Sequence, residues 1–398
     1  MSRRRVKITG IGIVAPCGIG VAEFGRNIVS GKSFVRPITR FPKEGGEFVA
    51  AEVKDFESRG FFHEGKLPRH TKFALAASDL AIADCGLSKS EVRCLSPIVI
   101  IGTSLMDSEV INQTISNVVR KGPRYALARV VFQGPVSSVS SAVANSLGGS
   151  RTLTIQTACC SGLDAIGHGA NLVSTGEADI AICGGAEAPI FYHPMLELKS
   201  AGLSPVTSVD YKELCRPFDL WRTTGVIGEG ACICIIEPED SVRKGYAFIE
   251  GYGYSTDVEG CPGKGLSHAI ELCLANARKN AADVDAINAW GPGHKEIDAM
   301  EARAIHRIFG ERGRRIPTVS IKGAIGNPFA AAGAIQVGCS ALGIRGAYIP
   351  PTVNWNFRDP ECDLALSANS RFFNHDVVLV NSHGVSGSNA CLLLERCE

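Results

Sequence analysis

Two adjacent cysteines, Cys159 and Cys160, stand at the end of an apolar run in the segment TIQTACCSGLDAIGHGANL, residues 154–172. A thiolate is a strong nucleophile, so a cysteine in this position is a candidate for covalent catalysis. A second interpretation stays open, because cysteine is among the residue types that are most often buried for packing alone. Whether Cys159 reacts therefore depends on which other residues reach it.

A helix is predicted directly after the two cysteines. Apolar residues recur there at helical spacing, and a glycine follows as the expected terminator: Leu163, Ile166, Ala170, Val173 and Gly176. The N-terminus of such a helix directs its free N–H groups and its positive dipole end at the sulfur of Cys159. We therefore expect the helix to lower the pKa of this thiol and to favour the thiolate.

Short β-branched runs alternate with longer helical stretches along the whole chain. Runs such as RVKITGIGIV, SPIVIIGTS, ADIAICGGAEA and DVVLVNSHG have the composition of buried strands, and HTKFALAASDLAIADCGL and LSHAIELCLANARKNAADV that of helices. This alternation predicts an α/β fold with mixed sheets buried under helices. TLTIQTACCSG and RIPTVSIKGAIGNPFAAAGAIQVGCSAL each lead from a strand into a small-residue helix, which indicates a duplication. We expect two halves, residues 1–240 and 241–398.

Composition excludes several classes of function. The chain has 398 residues, with 41 Lys and Arg against 40 Asp and Glu, a formal charge of +1. Such a balance does not suggest a nucleic-acid or membrane-surface protein. The apolar runs are too short to span a membrane. The 15 cysteines are scattered without the spacing of a zinc or redox site. We expect a cytoplasmic protein with no metal site.

One motif near the start imitates a dinucleotide-binding loop. Gly10-x-Gly12-x-x-Ala15 follows the strand-like run RVKIT. However, Pro16 stands where the helix of such a loop would be under way, and no acidic residue follows about 20 positions later. We therefore expect no nucleotide site there, and no cofactor.

Several ordered blocks of the sequence resemble the elongating β-ketoacyl-acyl-carrier-protein synthases, or ketosynthases, a family with a duplicated thiolase-type fold. The resemblance covers nearly the whole chain, and its blocks are RRVKITGIGIVAPCGIGVAEF, LPRHTKFALAASDLAIADCGL, TACCSGLDAIGHGANLVSTGEADIAICGGAEA, CRPFDLWRTTGVIGEGACICIIE, IKGAIGNPFAAAGAIQ and NSHGVSGSNACLLLE. It implies a five-layer α-β-α-β-α architecture and a dimer. It also implies that Cys159 receives an acyl group from an acyl-carrier protein with a phosphopantetheine arm. Cys160 is expected to be buried and passive.

The sequence departs from the family pattern where that family keeps two histidines. These histidines hydrogen-bond the malonyl thioester carbonyl, where negative charge develops during decarboxylation. The family motif H-G-T-G-T is matched by Trp290 to His294, and K-x-x-x-G-H by Lys322 to Asn327. Trp290 can donate one N–H but cannot accept or shuttle a proton, whereas Asn327 keeps an amide donor. The family glutamate a turn later is matched by Gln336.

A second departure lies in the loop that matches the family's N-S-F-G-F-G-G. Here His383, Gly384 and Val385 take the place of Phe-Gly-Phe. The resemblance brings this loop against the nucleophile, so His383 is a candidate to replace a lost base, with His294 as a second candidate. Val385 in place of the bulky gate predicts a more open entrance to the acyl pocket.

Two functions from different classes follow. The first is an acyltransferase of the β-ketoacyl synthase type in a polyketide or fatty-acid pathway. It would use Cys159, Lys322, Asn327 and His383 in catalysis and Trp290, His294, Gly384 and Val385 in substrate binding, with malonyl decarboxylation doubtful. The second is a non-condensing partner subunit, similar to the chain-length factors that pair with active ketosynthases. The partner subunit of the dimer is accordingly a second copy or another ketosynthase-like chain.

Overall fold

The computed structural model describes residues 4–41, 47–57, 66–105, 108–207, 210–257 and 263–397. The strands among these residues are β1 Val6–Ala15, β2 Gly18–Ile19, β3 Arg36–Pro37, β4 Val49–Ala50, β5 Ile98–Gly102, β6 Arg151–Ile155, β7 Ala181–Glu187, β8 Gly230–Pro238, β9 Ala247–Thr256, β10 Ala286–Asn288, β11 Thr318–Val319, β12 Tyr348–Ile349, β13 Arg371–Phe372, β14 Val377–His383 and β15 Ser388–Arg396. The helices are α1 Val21–Ile28, α2 Arg69–Asp84, α3 Lys89–Cys94, α4 Ser108–Lys121, α5 Val130–Gln133, α6 Ser138–Ser146, α7 Ser161–Ser174, α8 Tyr192–Ser200, α9 Lys264–Ala277, α10 Lys295–Phe309, α11 Lys322–Ile325 and α12 Ala330–Gly346.

The main sheet is made of two halves with the same strand pattern. Its order is β11-β10-β14-β15-β9-β1-β8-β7-β5-β6, with β2 attached to β1. The halves meet where the first residues of β1 pair with β9. In one half β1, β8 and β7 are antiparallel and β7, β5 and β6 parallel, and in the other β9, β15 and β14 are antiparallel and β14, β10 and β11 parallel. Both halves are mixed sheets, so the predicted duplicated α/β fold is confirmed.

Helices cover both faces of each half in five layers. Helices α2 and α6 pack on the outer face of the β1 half, and α9 and α10 lie on the outer face of the β9 half. Helices α7 and α12 contact each other and lie between the halves, against strands of both. Helix α7 begins at the end of the first of the two segments whose similarity indicated a duplication, and α12 begins within the second. The helix that follows the candidate nucleophile is therefore at the centre of the molecule.

The glycines of the dinucleotide-like motif serve helix–strand packing. Both lie within β1, under α2. A Cβ built on Gly10 would lie 2.4 Å from the carbonyl oxygen of Ala81, and one on Gly12 would lie 1.9 Å from that of Ala77. Since no side chain fits between strand and helix there, the motif is explained by close approach of two backbones.

The helix after the cysteines is confirmed. Helix α7 runs from Ser161 to Ser174, and Gly176 follows with φ +79°, a left-handed conformation that favours glycine at a helix end. Among the residues that the structure describes, no helix has both the length and the apolar character that crossing a membrane requires.

Candidate active site

A tight turn presents Cys159 at the N-terminus of α7. Ala158 has φ +51°, a left-handed conformation that costs a non-glycine residue about 1–2 kcal/mol. The hydroxyl of Ser161 accepts a hydrogen bond from the N–H of Thr157 at 2.9 Å, which closes the turn. Cys160 is fully buried, and its sulfur lies 3.4 Å from the carbonyl oxygen of Ser388. The predicted burial of Cys160 is therefore confirmed.

The environment of Cys159 corrects one expectation from the sequence. Burial raises the pKa of its thiol to about 12, and hydrogen bonds from the N–H groups of Val385 and of Cys159 itself only partly oppose this effect. The sequence predicted a lowered pKa at the helix N-terminus. That prediction is wrong, because removing the sulfur from water destabilises the thiolate more than these N–H groups stabilise it. Cys159 is a neutral thiol at rest and needs a base in order to react.

One cavity brings together six of the residues that the sequence singled out: Cys159, Trp290, His294, Asn327, His383 and Val385. Its volume is about 30 Å³, which is room for roughly one water molecule. Val385 is 62% exposed, so it does not close the cavity. The more open entrance to an acyl pocket that the loss of the bulky gate predicts stays a prediction.

Asn327 presents an amide donor to this cavity. Its backbone is fixed, because its N–H donates to the carbonyl of Val226 at 2.7 Å and its carbonyl accepts from Gly228 at 2.9 Å. Its side-chain Oδ1 accepts from the N–H of Phe329 at 3.3 Å. Since the oxygen is engaged by the backbone, the Nδ2 group is the part of the amide left for a molecule in the cavity.

Trp290 lies between the cavity and the amine of Lys322. The Nζ atom of Lys322 lies 3.9 Å from the centre of the indole ring and 3.0 Å from Oε1 of Gln336. Lys322 is fully buried and is not part of the cavity wall. Burial lowers the pKa of its amine to about 7, against the attraction of Glu301 and of neighbouring groups. The same Glu301 accepts the N–H groups of Trp290 and Gly291, both at 2.8 Å, and so fixes the tryptophan loop.

His383 is held by the hairpin that β14 and β15 form. Its Nδ1 lies 2.8 Å from Oδ1 of Asn389, the residue that pairs with it across the hairpin. The same nitrogen lies 3.9 Å from Oδ2 of Asp257 at the end of β9. No hydrogen bond joins Nε2 of His383 to any residue that the structure describes. His383 and Cys159 thus line the same cavity.

The remaining candidates, Gly384 and His294, lie next to the turn of Cys159 and to the cavity. Gly384 packs on the turn of the nucleophile: a Cβ built on it would lie 3.0 Å from Cβ of Ala158 and 3.4 Å from the nitrogen of Cys159. His294 precedes α10, and its Nδ1 is buried with no hydrogen-bond partner among the described residues. Within the described part of the chain, no group of three His, Cys, Asp or Glu residues could hold a metal ion.

Sequence reasoning missed three residues of this site. Asn389 orients His383, Asp257 lies behind the same ring, and Phe329 adopts φ +45° next to Asn327. Asn389 could have been predicted from the sequence, because a short hairpin after His383 brings a residue six positions later opposite to this histidine. Asp257 and the backbone of Phe329 depend on the tertiary structure and leave no signal in the sequence.

Comparison with known proteins identifies two adjoining family regions. Residues 3–241 match the model described as "Beta-ketoacyl synthase, N-terminal domain", and residues 245–356 match "Beta-ketoacyl synthase, C-terminal domain". The chain is 32% identical to a protein of Coxiella burnetii named 3-oxoacyl-[acyl-carrier-protein] synthase 2, over 100% of this chain and 99% of that protein.

Two solved structures match the fold over 100% of both chains. One is titled "The ishigamide ketosynthase/chain length factor", with a TM-score of 0.92 and 31% identity. The other has a TM-score of 0.91 and 28% identity, and its title describes a type II PKS acyl-carrier protein in complex with its ketosynthase bound to the hexaketide.

Proposed function

Because this chain belongs to the β-ketoacyl synthase family, a class of condensing acyltransferases, we propose that it is an acyltransferase that carries an acyl group on Cys159 but does not decarboxylate malonyl thioesters efficiently. One observation carries the proposal. The cavity beside Cys159 is lined by His294, His383 and the amide of Asn327, whereas the positions of both family histidines are held by Trp290 and Asn327. The site therefore keeps a thiol, a histidine and an amide donor, which acyl transfer needs. It lacks the two family histidines that stabilise the charge formed during decarboxylation.

Acylation starts from the neutral thiol of Cys159. Sγ of Cys159 attacks the carbonyl carbon of an acyl thioester while its proton passes to Nε2 of His383, directly or through one water molecule. The negative charge that develops on the carbonyl oxygen is stabilised by Nδ2 of Asn327 and by the N–H of Val385, which already lies against the sulfur. The carbon–sulfur bond of the incoming thioester then breaks, and the leaving thiolate takes the proton back from His383.

Decarboxylation is disfavoured by the groups around Trp290. A malonyl thioester needs donors at its carbonyl as the enolate charge forms, and losing one such donor typically costs about 10²–10³ in rate. The indole ring packs against the amine of Lys322, and this amine donates a hydrogen bond to Gln336. Lys322 therefore acts on the reaction through Trp290 and not by contact with the substrate.

An acyl-carrier protein is the proposed acyl donor. One similar structure is a ketosynthase in complex with such a carrier, according to its title, and another is a ketosynthase/chain length factor. His294 and Gly384 border the cavity and the turn of the nucleophile, where a pantetheine arm would enter. We extend the proposal to a dimer with a second copy or with another ketosynthase-like chain. The cytoplasmic location and the division at residue 240 stay predictions.

The proposal is tested by separating acylation from decarboxylation. The protein is incubated with an acyl-carrier protein that bears an acyl chain and with malonyl-acyl-carrier protein, and acyl-enzyme, carbon dioxide and β-ketoacyl product are measured in parallel. We expect acyl-enzyme without carbon dioxide above the level of a Cys159→Ala control. Rapid release of carbon dioxide with a condensed product would refute the loss of decarboxylation.

A non-condensing partner subunit is the second candidate. The neutral, buried thiol and the cavity of about 30 Å³ favour it, since neither is arranged for immediate attack on a thioester. Absence of any acyl-enzyme, together with unchanged pathway product in Cys159→Ala, would support this function over the first.

A further inference from the structure

The hairpin that carries His383 also fixes which of its ring nitrogens holds the proton. Gly384 N–H donates to the carbonyl of Ser388 at 2.7 Å, and Gly387 N–H donates to the carbonyl of Gly384 at 2.9 Å. These bonds hold the end of β14 and the start of β15 in one register. Asn389 is buried within this hairpin, directly opposite His383.

The amide of Asn389 has only one orientation that satisfies both neighbours. Its Nδ2 donates to the carbonyl oxygen of Gly387 at 2.9 Å. A flipped amide would bring Oδ1 against that carbonyl, and two acceptors cannot bond each other. Oδ1 therefore faces His383 at 2.8 Å, and because an amide oxygen only accepts, the proton lies on Nδ1 of the histidine. Nε2 is then unprotonated and can accept a proton.

A carboxylate lies behind the same ring. Oδ2 of Asp257 is 3.9 Å from Nδ1 of His383, while Oδ1 of Asp257 accepts the N–H groups of Gly263 and Gly265 at 3.2 and 2.8 Å. The carboxylate is thus fixed in place by the backbone before α9.

From these contacts we propose that Asn389 is a positioning residue that sets the tautomer of His383, with Asp257 held behind the same ring, so that Cys159, His383 and Asn389 act as a cysteine–histidine–asparagine unit. The roles match those of a nucleophile, a base and a residue that orients the base. This inference rests on the proposed acyl transfer for its biological use, but it makes a statement about the resting protein that holds without any substrate.

The tautomer is measured by NMR on protein labelled with ¹⁵N at its histidines. His383→Phe identifies the resonances of this residue among the nine histidines. At a pH where His383 is neutral, we expect the Nδ1–H form in the wild type and a shift toward the Nε2–H form in Asn389→Ala. Asn276→Ala is the matched control, because it removes an amide that bonds the carbonyl of Tyr252 elsewhere in the fold, and it should leave the resonances of His383 unchanged. A wild type in the Nε2–H form, or Asn389→Ala without a shift, would overturn the proposal.

The reactivity of Cys159 gives a second readout that also needs no acyl donor. The rate of its alkylation by iodoacetamide near pH 7 is followed by mass spectrometry. We expect a fall of about 10²-fold in His383→Phe and of about tenfold or more in Asn389→Ala, the range expected for loss of a base and of its orientation. Asn389→Asp keeps an oxygen opposite Nδ1 but brings its second oxygen against the carbonyl of Gly387, so we expect it to recover only part of the loss. Equal rates in all these variants, with thermal midpoints that show them folded, would contradict the proposal.

The two proposals fail in different ways. If no acyl-enzyme forms while the tautomer and the alkylation rates behave as expected, the acyl-transfer function is wrong and the unit stands. If acyl-enzyme forms on Cys159 while His383 carries its proton on Nε2, the unit is wrong and the function stands.

Discussion

The buried amine of Lys322 predicts that the folded protein loses stability as the pH falls from about 10.5 to about 7. The pKa of this amine is about 7 in the folded protein and takes the ordinary lysine value of 10.5 when the chain unfolds. Between these values the unfolded chain binds a proton that the folded chain does not, so the free energy of unfolding rises with pH in this window. Lys322→Met removes the titrating group and keeps the length of the side chain.

The pKa values of Lys322 in the folded and unfolded chain set the size of this change in stability. A difference of one pKa unit corresponds to about 1.4 kcal/mol, so burial of the amine costs roughly 5 kcal/mol near pH 7 and below. Roughly 3 kcal/mol of this penalty develops between pH 10 and pH 7, because the lysine of the unfolded chain is already partly protonated at pH 10. The hydrogen bond to Gln336 that the variant loses affects both pH values alike.

Urea unfolding at both pH values measures this penalty. We expect the stability of Lys322→Met relative to the wild type to improve by about 3 kcal/mol between pH 10 and pH 7. Lys244→Met is the matched control, because this lysine is exposed in the loop between β8 and β9 and should show no such change. Parallel pH profiles for the wild type and Lys322→Met would refute the reasoning, since they would mean that Lys322 titrates alike in both states.

Four further results are expected. Gly12→Ala should lower the free energy of unfolding by more than about 3 kcal/mol, since its Cβ would lie 1.9 Å from a backbone oxygen, while Gly25→Ala in α1 should not; equal thermal midpoints would contradict this. Burial raises the pKa of Glu187 to about 7, so the wild type should lose stability relative to Glu187→Gln as the pH rises from about 4.5 to 7; urea midpoints that move in the opposite sense would exclude it. Asn327→Ala should slow acylation by about 10²–10³-fold in rapid-quench assays, and an unchanged rate would remove Asn327 from the oxyanion site. Trp290→His combined with Asn327→His should raise carbon dioxide release from malonyl-acyl-carrier protein by about tenfold or more, and no gain would show that other residues block decarboxylation.

The sequence predicted most of the fold because its signals are local and repeated. The apolar spacing after Cys159 located α7, and the alternation of strand-like and helix-like runs gave two similar mixed sheets. The pair of glycines in β1 was distinguished from a nucleotide-binding loop by Pro16 and by the absence of an acidic residue about 20 positions later. The packing reason for these glycines, the approach of α2 to β1, needed the structure.

The site was only partly predictable, because its chemistry depends on burial and on contacts across the fold. Six candidate residues do meet in one cavity, as their positions in the motifs implied. The high pKa of Cys159 was not foreseen, since a helix N-terminus is visible in a sequence and the loss of surrounding water is not. The partners of His383 were missed because Asn389 reaches it across a hairpin and Asp257 from a different strand.

The most direct test of Cys159 as the acyl carrier is peptide-mapped mass spectrometry of the protein after incubation with acyl-acyl-carrier protein. Cys160→Ala is the matched control for Cys159→Ala, because it removes the neighbouring thiol, which is buried outside the cavity. We predict an acyl group on Cys159 in the wild type and in Cys160→Ala, and none in Cys159→Ala. An unmodified wild type, or an acyl group that persists in Cys159→Ala, would contradict the central claim.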